Sequence, residues 1–100
     1  MHGSEAIYQA DLIEKIYRLL PGCVVVKNDA KRVQGVPDLL VLYNSFWAML
    51  EVKLSARSKQ QPNQEYYIRK FNAMSFAAFI YPENEEDVLI ALQSAFGAYR

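Results

Sequence analysis

One cysteine, one histidine and no net charge are the first marks of this 100-residue chain. The lone thiol, Cys23, has no partner for an intrachain disulfide, and there is no cysteine cluster for zinc. Set in the apolar run Cys-Val-Val-Val, it reads as a core residue. His2 lies at the terminus and is given no chemical role. No apolar run approaches the roughly 20 residues of a membrane span, and the first residues are too polar for a secretory signal. The expected compartment is therefore a reducing cytoplasm, that of a host if the chain is phage-encoded. Zero net charge, taken alone, counts against a nucleic-acid binder.

What is present changes that picture. The chain is 52% hydrophobic, enough at this length for one core, and residues 1–100 are expected to form a single domain. Its charges are segregated. Between Lys27 and Lys70 there are eight Lys or Arg against four acids, while four further acids crowd into residues 83–87. A locally basic surface can hold a phosphate backbone on a neutral protein, although an ordinary mixed surface would look the same. Lys27, Lys31, Arg32, Arg57 and Lys59 are the candidate phosphate contacts.

Apolar spacing predicts a helix over residues 5–20, with Ala6, Ala10, Ile13, Ile16, Tyr17 and Leu20 on its inner stripe and Ser4 as N-cap. Pro21-Gly22 stops it. Strands follow at 23–26, 38–42 and 46–52. A second helix is expected from Pro62, in its first turn, to about Met74, burying Tyr67, Ile68, Phe71 and Met74. A strand at 77–81 leads to a last helix opened by Pro82-Glu83, with Val88, Leu89, Leu92, Ala95 and Phe96 inward. The order is α-β-β-β-α-β-α.

Strand register decides which side chains face each other. Asn44-Ser45 suits the tip of a hairpin, because Asn tolerates the positive φ that a tight hairpin needs; a four-residue loop over 43–46 shares the same centre. Either loop pairs residues whose numbers sum to 89, so Leu42 faces Trp47, Leu40 faces Met49 and Asp38 faces Glu51. Opposed side chains lie roughly 5 Å apart at their β-carbons. Two like charges at that separation repel by about 3 kcal/mol at an effective dielectric near 20. The rest of the hairpin is apolar on both faces, which predicts a sheet covered on both sides. Two acids in such a place share a proton or hold a cation, and oxygen ligands select Mg²⁺ or Mn²⁺. Lys53, two residues beyond Glu51, points to the same face. The plainer reading puts Asp38 and Glu51 at a solvent-facing strand end, with Lys53 as an ion-pair partner.

Pro37-Asp38, then Glu51-Val52-Lys53 with Glu51 thirteen positions after Asp38, resembles the PD-(D/E)XK nuclease signature. Glu5-Ala6-Ile7-Tyr8-Gln9, Gly35-Val36-Pro37-Asp38, Glu51-Val52-Lys53 and Gln64 together resemble its VRR-NUC branch. The resemblance implies an α/β, restriction-endonuclease-like core with a central mixed sheet flanked by helices. It also implies metal-dependent phosphodiester hydrolysis in DNA by a homodimer similar to Holliday-junction resolvases. Asp38 and Glu51 become metal ligands, with the Val52 carbonyl a third. Lys53 becomes the catalytic lysine, Glu5 an additional acid reaching the metal or its water, and Gln64 a positioning residue. Periodicity leaves Glu14 as a rival to Glu5. Two other functions stay open: a non-catalytic nucleic-acid-binding module on the same fold, and a structural or interaction subunit suggested by the neutral charge and the acidic segment. Tyr66 and Tyr67 could stack on bases or line a dimer interface, with one of the pair simply packing in the core.

Overall fold

A computed structural model describes residues 3–98; His2 falls outside them. The elements are α1 (Gly3–Leu19), β1 (Val24–Lys27), β2 (Leu39–Tyr43), β3 (Phe46–Val52), α2 (Gln64–Met74), β4 (Phe76–Ile80) and α3 (Glu85–Ala95). The expected order holds. One mixed sheet runs β1-β2-β3-β4, antiparallel as far as β3 and parallel between β3 and β4. A parallel pair needs a crossover, which α2 supplies.

Two residues, Asn44 and Ser45, connect β2 to β3, and Asn44 takes the positive φ of 54° that such a loop needs. The register is the expected one: Leu42 faces Trp47 and Leu40 faces Met49. Phe96 closes this end of the sheet, stacking on Tyr43 and Phe46 at 5.9 and 5.6 Å.

The two faces of the sheet are covered unequally. On one, Leu39, Val41, Ala48, Leu50, Val52 and Ile80 meet Leu12 and Ile16 of α1, Leu20 just after it, and Val88, Leu89 and Leu92 of α3, all buried. On the other, α2 lies over β3 and β4, with Phe71 edge-on to Trp47 at 6.1 Å. It does not reach β1 and the outer part of β2, so Val24, Val26 and Leu42 stay 39–50% exposed. The composition suggested a sheet buried on both sides; it is not, because among the described residues α2 alone serves the second face.

Several boundaries and faces also move. The inner stripe of α1 is Gln9, Leu12 and Ile16, continued by Leu20 just past its end, while Ala6, Ala10 and Tyr17 face outward. The buried glutamine disguised a stripe that large Leu and Ile side chains dominate. Ser4 lies inside the helix rather than capping it. Pro62 precedes α2, whose N-cap is Asn63. Met74 is 64% exposed, and Ala95 is exposed. Residues 81–84 form a turn in which Asn84 accepts from the Tyr81 amide and donates to the Phe79 carbonyl, so Pro82-Glu83 sits outside α3.

α1 ends beside the hairpin tip, since a short turn carries it into Val24, the partner of Leu42. It therefore runs back along the sheet, and its first turns lie at the opposite end. Glu85 at the start of α3 accepts hydrogen bonds from Tyr8 in the first half of α1 and from Lys15 in the second. Burial pushes the Glu85 carboxyl up, but those two bonds and the Lys15 charge outweigh it and hold it below its ordinary value. A lowered carboxyl stabilises the fold above its unfolded pKa, and the contribution is lost as pH falls through the folded one. Glu85→Ala is expected to cost about 1–3 kcal/mol at neutral pH in urea unfolding, with the gap to wild type closing in acid. A gap that does not vary with pH would remove this clasp from the account.

Candidate active site

β2 and β3 end where the apolar pattern ends. The backbone ladder stops at Leu39–Leu50, and one step further the side chains of two acids take over. The Asp38 amide donates to Glu51 Oε1 at 3.2 Å, and the Val52 amide donates to Asp38 Oδ2 at 3.0 Å. The carboxylates thus satisfy two amides at the strand ends and are brought together in doing so. Glu51 is only 4% exposed. Burial first, and then the Asp38 charge, push its carboxyl up to about 8, against a partial offset from Lys53. Asp38 is also raised by burial, which outweighs its hydrogen bonds and the nearby charges of Lys53 and Lys27.

The third member is Lys53, buried beside them, with Nζ 3.8 Å from Glu51 Oε2. Its ammonium donates to the Lys59 carbonyl at 3.0 Å and to Gln64 Oε1 at 2.8 Å. Gln64 is the hinge of the arrangement. The same Oε1 accepts from the Gln61 amide at 2.8 Å, and Nε2 donates to Glu51 Oε2 at 2.9 Å. One side chain at the first position of α2 fixes an acid, a lysine and the loop before the helix.

Gly35 allows Gln64 to be there. It has φ +90°, and a Cβ on it would lie 2.7–2.8 Å from Asn63 Cβ, the Asn63 carbonyl carbon and the Pro62 oxygen. The turn before α2 therefore rests directly on the glycine of the Gly-Val-Pro-Asp segment. Asn63 adopts a left-handed conformation, φ 71°, with no side-chain cap bond, a sparsely populated region that Asn enters at less cost than other side chains. Strain of this kind persists where the surroundings over-determine the backbone.

Asn28 performs a similar task on the other side. Its amide donates to the Asp38 carbonyl at 2.8 Å, and Nδ2 donates to the Pro37 carbonyl at 2.9 Å. Neither Asn28 nor Asn63 stood out in the sequence, because polar turn residues are common and their long-range partners leave no local signature.

The expected site residues fall into three groups. Asp38, Glu51, Val52, Lys53 and Gln64 form one hydrogen-bonded cluster. Lys27, Lys31, Arg32, Arg57 and Lys59 are all exposed on segments bordering it. Glu5 is half-buried in the first turn of α1, at the sheet end that carries the cluster, one turn from the buried Gln9. Among the described residues no group of three or more His, Cys, Asp or Glu side chains gathers closely enough to hold a metal, so Glu5 does not stand beside the two carboxylates as a third. Glu14 is paired with Arg18 on the outer face of α1, 75% exposed at its side chain, which leaves Glu5 as the acid on the site side. Cys23 is a core thiol, raised by burial.

The Glu51 carboxyl keeps in the folded chain a proton that the unfolded chain has released, so its contribution to stability falls as pH rises from about 4.5 toward 8, and the raised Asp38 carboxyl acts in the same direction. Asp38→Asn replaces a shared proton by an amide that can donate to Glu51 while its oxygen still accepts from Val52. In metal-free buffer the variant should melt higher than wild type, with a larger gain at pH 8 than at pH 5. A lower melting point at both would contradict the shared-proton geometry.

No protein-family model and no curated protein matches the chain. Solved structures do. A structure described as a VRR_NUC domain is 24% identical, with TM-score 0.64, covering 96% of this chain and 97% of that one. A VRR_NUC domain protein is 16% identical, with TM-score 0.67, covering 98% and 92%. Hjc, a Holliday junction resolvase of Archaeoglobus fulgidus, is 14% identical, with TM-score 0.52, covering 76% and 67%. At these identities the likeness is one of fold, and the chain has the fold of the VRR_NUC domains.

Proposed function

We propose that the chain is a Mg²⁺- or Mn²⁺-dependent DNA endonuclease, selective for branched DNA such as a four-way junction and acting as a homodimer in the cytoplasm. The observation that carries this reading is the opposed Asp38–Glu51 pair with Lys53 bonded into the same cluster. Two carboxyls raised by burial, Glu51 further by the Asp38 charge, are short of positive charge, and an all-oxygen donor set suits a hard divalent cation. The residues present therefore fit such an ion.

Asp38, Glu51 and the Val52 carbonyl would hold it, and Glu5 would reach the water around it. When bound, the ion supplies Lewis acidity and a more acidic water. The chain's own part is electrostatic and geometric. Lys53 places a cation where negative charge grows on the phosphoryl oxygens. Gln64 keeps Lys53 and Glu51 in fixed relation. Lys27, Lys31, Arg32, Arg57 and Lys59 offer charges for the flanking phosphates, which position a duplex without reading its sequence. A homodimer presents two such sites for the two strands of a junction. The structure of an archaeal junction resolvase, alike in fold, supports the branched-DNA part of the reading.

Purified protein with Mg²⁺ or Mn²⁺ should nick a synthetic four-way junction faster than a matched linear duplex. Glu51→Ala and Lys53→Ala should each reduce cleavage to background while the protein stays folded by circular dichroism. Absence of cleavage on branched, linear and single-stranded DNA with either metal would refute the proposal.

A further inference from the structure

Four aromatic rings run in contact from the sheet along α2. Trp47 meets Phe71 edge-on at 6.1 Å, Phe71 stacks on Tyr67 at 5.5 Å, and Tyr67 meets Tyr66 edge-on at 5.0 Å. The first three rings are half-buried, whereas Tyr66 is 52% exposed. An exposed tyrosine braced in this way is a fixed platform with a free side. It borders an open groove of about 670 Å³ whose other walls include Lys59, Gln60, Gln61, Asn63 and Glu65. That volume lies in the range of sites for small organic groups.

The loop that walls the groove is bonded to the candidate active site. The Lys59 carbonyl accepts from Lys53 Nζ, and the Gln61 amide donates to Gln64 Oε1. Its chemistry is that of a base site rather than a phosphate site. One ring offers a stacking surface, and carboxamides can both donate and accept along a base edge. There is one lysine, and Glu65 opposes a run of phosphates. A base inside a duplex has both faces covered by its neighbours, so only an unpaired base can use such a platform.

We propose that this groove takes an unpaired nucleobase of the DNA substrate, stacked on Tyr66, with its edge met by the amides of Gln60 and Gln61. The proposal rests on the DNA-nuclease reading and narrows it to DNA with unpaired bases next to the scissile phosphate, as at a fork or an open junction centre.

The test compares a forked DNA carrying 2-aminopurine in its unpaired arm with a fully paired duplex of the same sequence. Affinity in metal-free buffer, 2-aminopurine fluorescence and Mg²⁺-dependent cleavage are measured for wild type, Tyr66→Ala and Tyr66→Phe. Tyr66 is exposed, so the variants should fold. Tyr66→Ala should weaken fork binding about fivefold or more, the effect of one lost base stack, and should abolish fluorescence quenching. Tyr66→Phe should retain both, and neither variant should alter duplex affinity. Equal fork binding by wild type and Tyr66→Ala, or equal losses on fork and duplex, would overturn the platform. A wild type that binds and quenches the fork but cuts nothing keeps the platform and refutes the nuclease. One that cuts forks equally well as Tyr66→Ala refutes the platform alone.

Discussion

Two carboxylates meet at the end of an apolar sheet, and their mutual repulsion organises what surrounds them. Asp38 and Glu51 each accept a backbone amide from across the strand pair, where a regular ladder would have paired amides with carbonyls. The hairpin register leaves them no room to separate, because Leu39 and Leu50, one step away, are locked in the core. Repulsion at such a distance is worth a few kcal/mol in a partly screened site. It is met here by a buried lysine, by a glutamine amide and by protons retained above the ordinary carboxyl range. A divalent cation between the oxygens would meet it more fully.

That demand explains the otherwise odd backbone beside the site. Gln64 can bond Glu51, Lys53 and the Gln61 amide together only if α2 begins close to the sheet edge. The turn before it must then press on residue 35, which only a glycine at positive φ accommodates, and Asn63 must take a left-handed conformation. The Gly-Val-Pro-Asp segment and the start of α2 are far apart in sequence but act as one mechanical unit. Shifting either moves the lysine and the acid together. Tyr66 stands on the same helix two residues after Gln64, so the chemistry and the aromatic ladder share one element.

Much of this was legible in the sequence, for identifiable reasons. A strand pair has a side-chain period of two, so a hairpin centre fixes which residues face each other, and Asn44-Ser45 marked that centre. Asp38, Glu51 and Lys53 followed from arithmetic. Helix faces were harder to read. Two stripes compete on α1, and the buried one carries Gln9, a residue that hydropathy assigns to solvent. The half-open second face of the sheet was not legible either, since Val24, Val26 and Leu42 look the same covered or bare. Nor was the contact of Gly35 with Asn63, which depends on the path of a polar loop whose residues carry no periodic signal. The fold likeness agrees with the reading of the motifs, although no family model detects it in the sequence alone.

The central claim is that Asp38 and Glu51 form one cation site with Lys53 fixed beside it. Crystals soaked in Mn²⁺ and measured at the manganese absorption edge test this most directly. The account predicts an anomalous peak shared by the Asp38 and Glu51 carboxylates, absent in Asp38→Asn crystals, with Gln64 still bridging Lys53 and Glu51. A peak elsewhere, or none at this pair while manganese binds other acids, would contradict it.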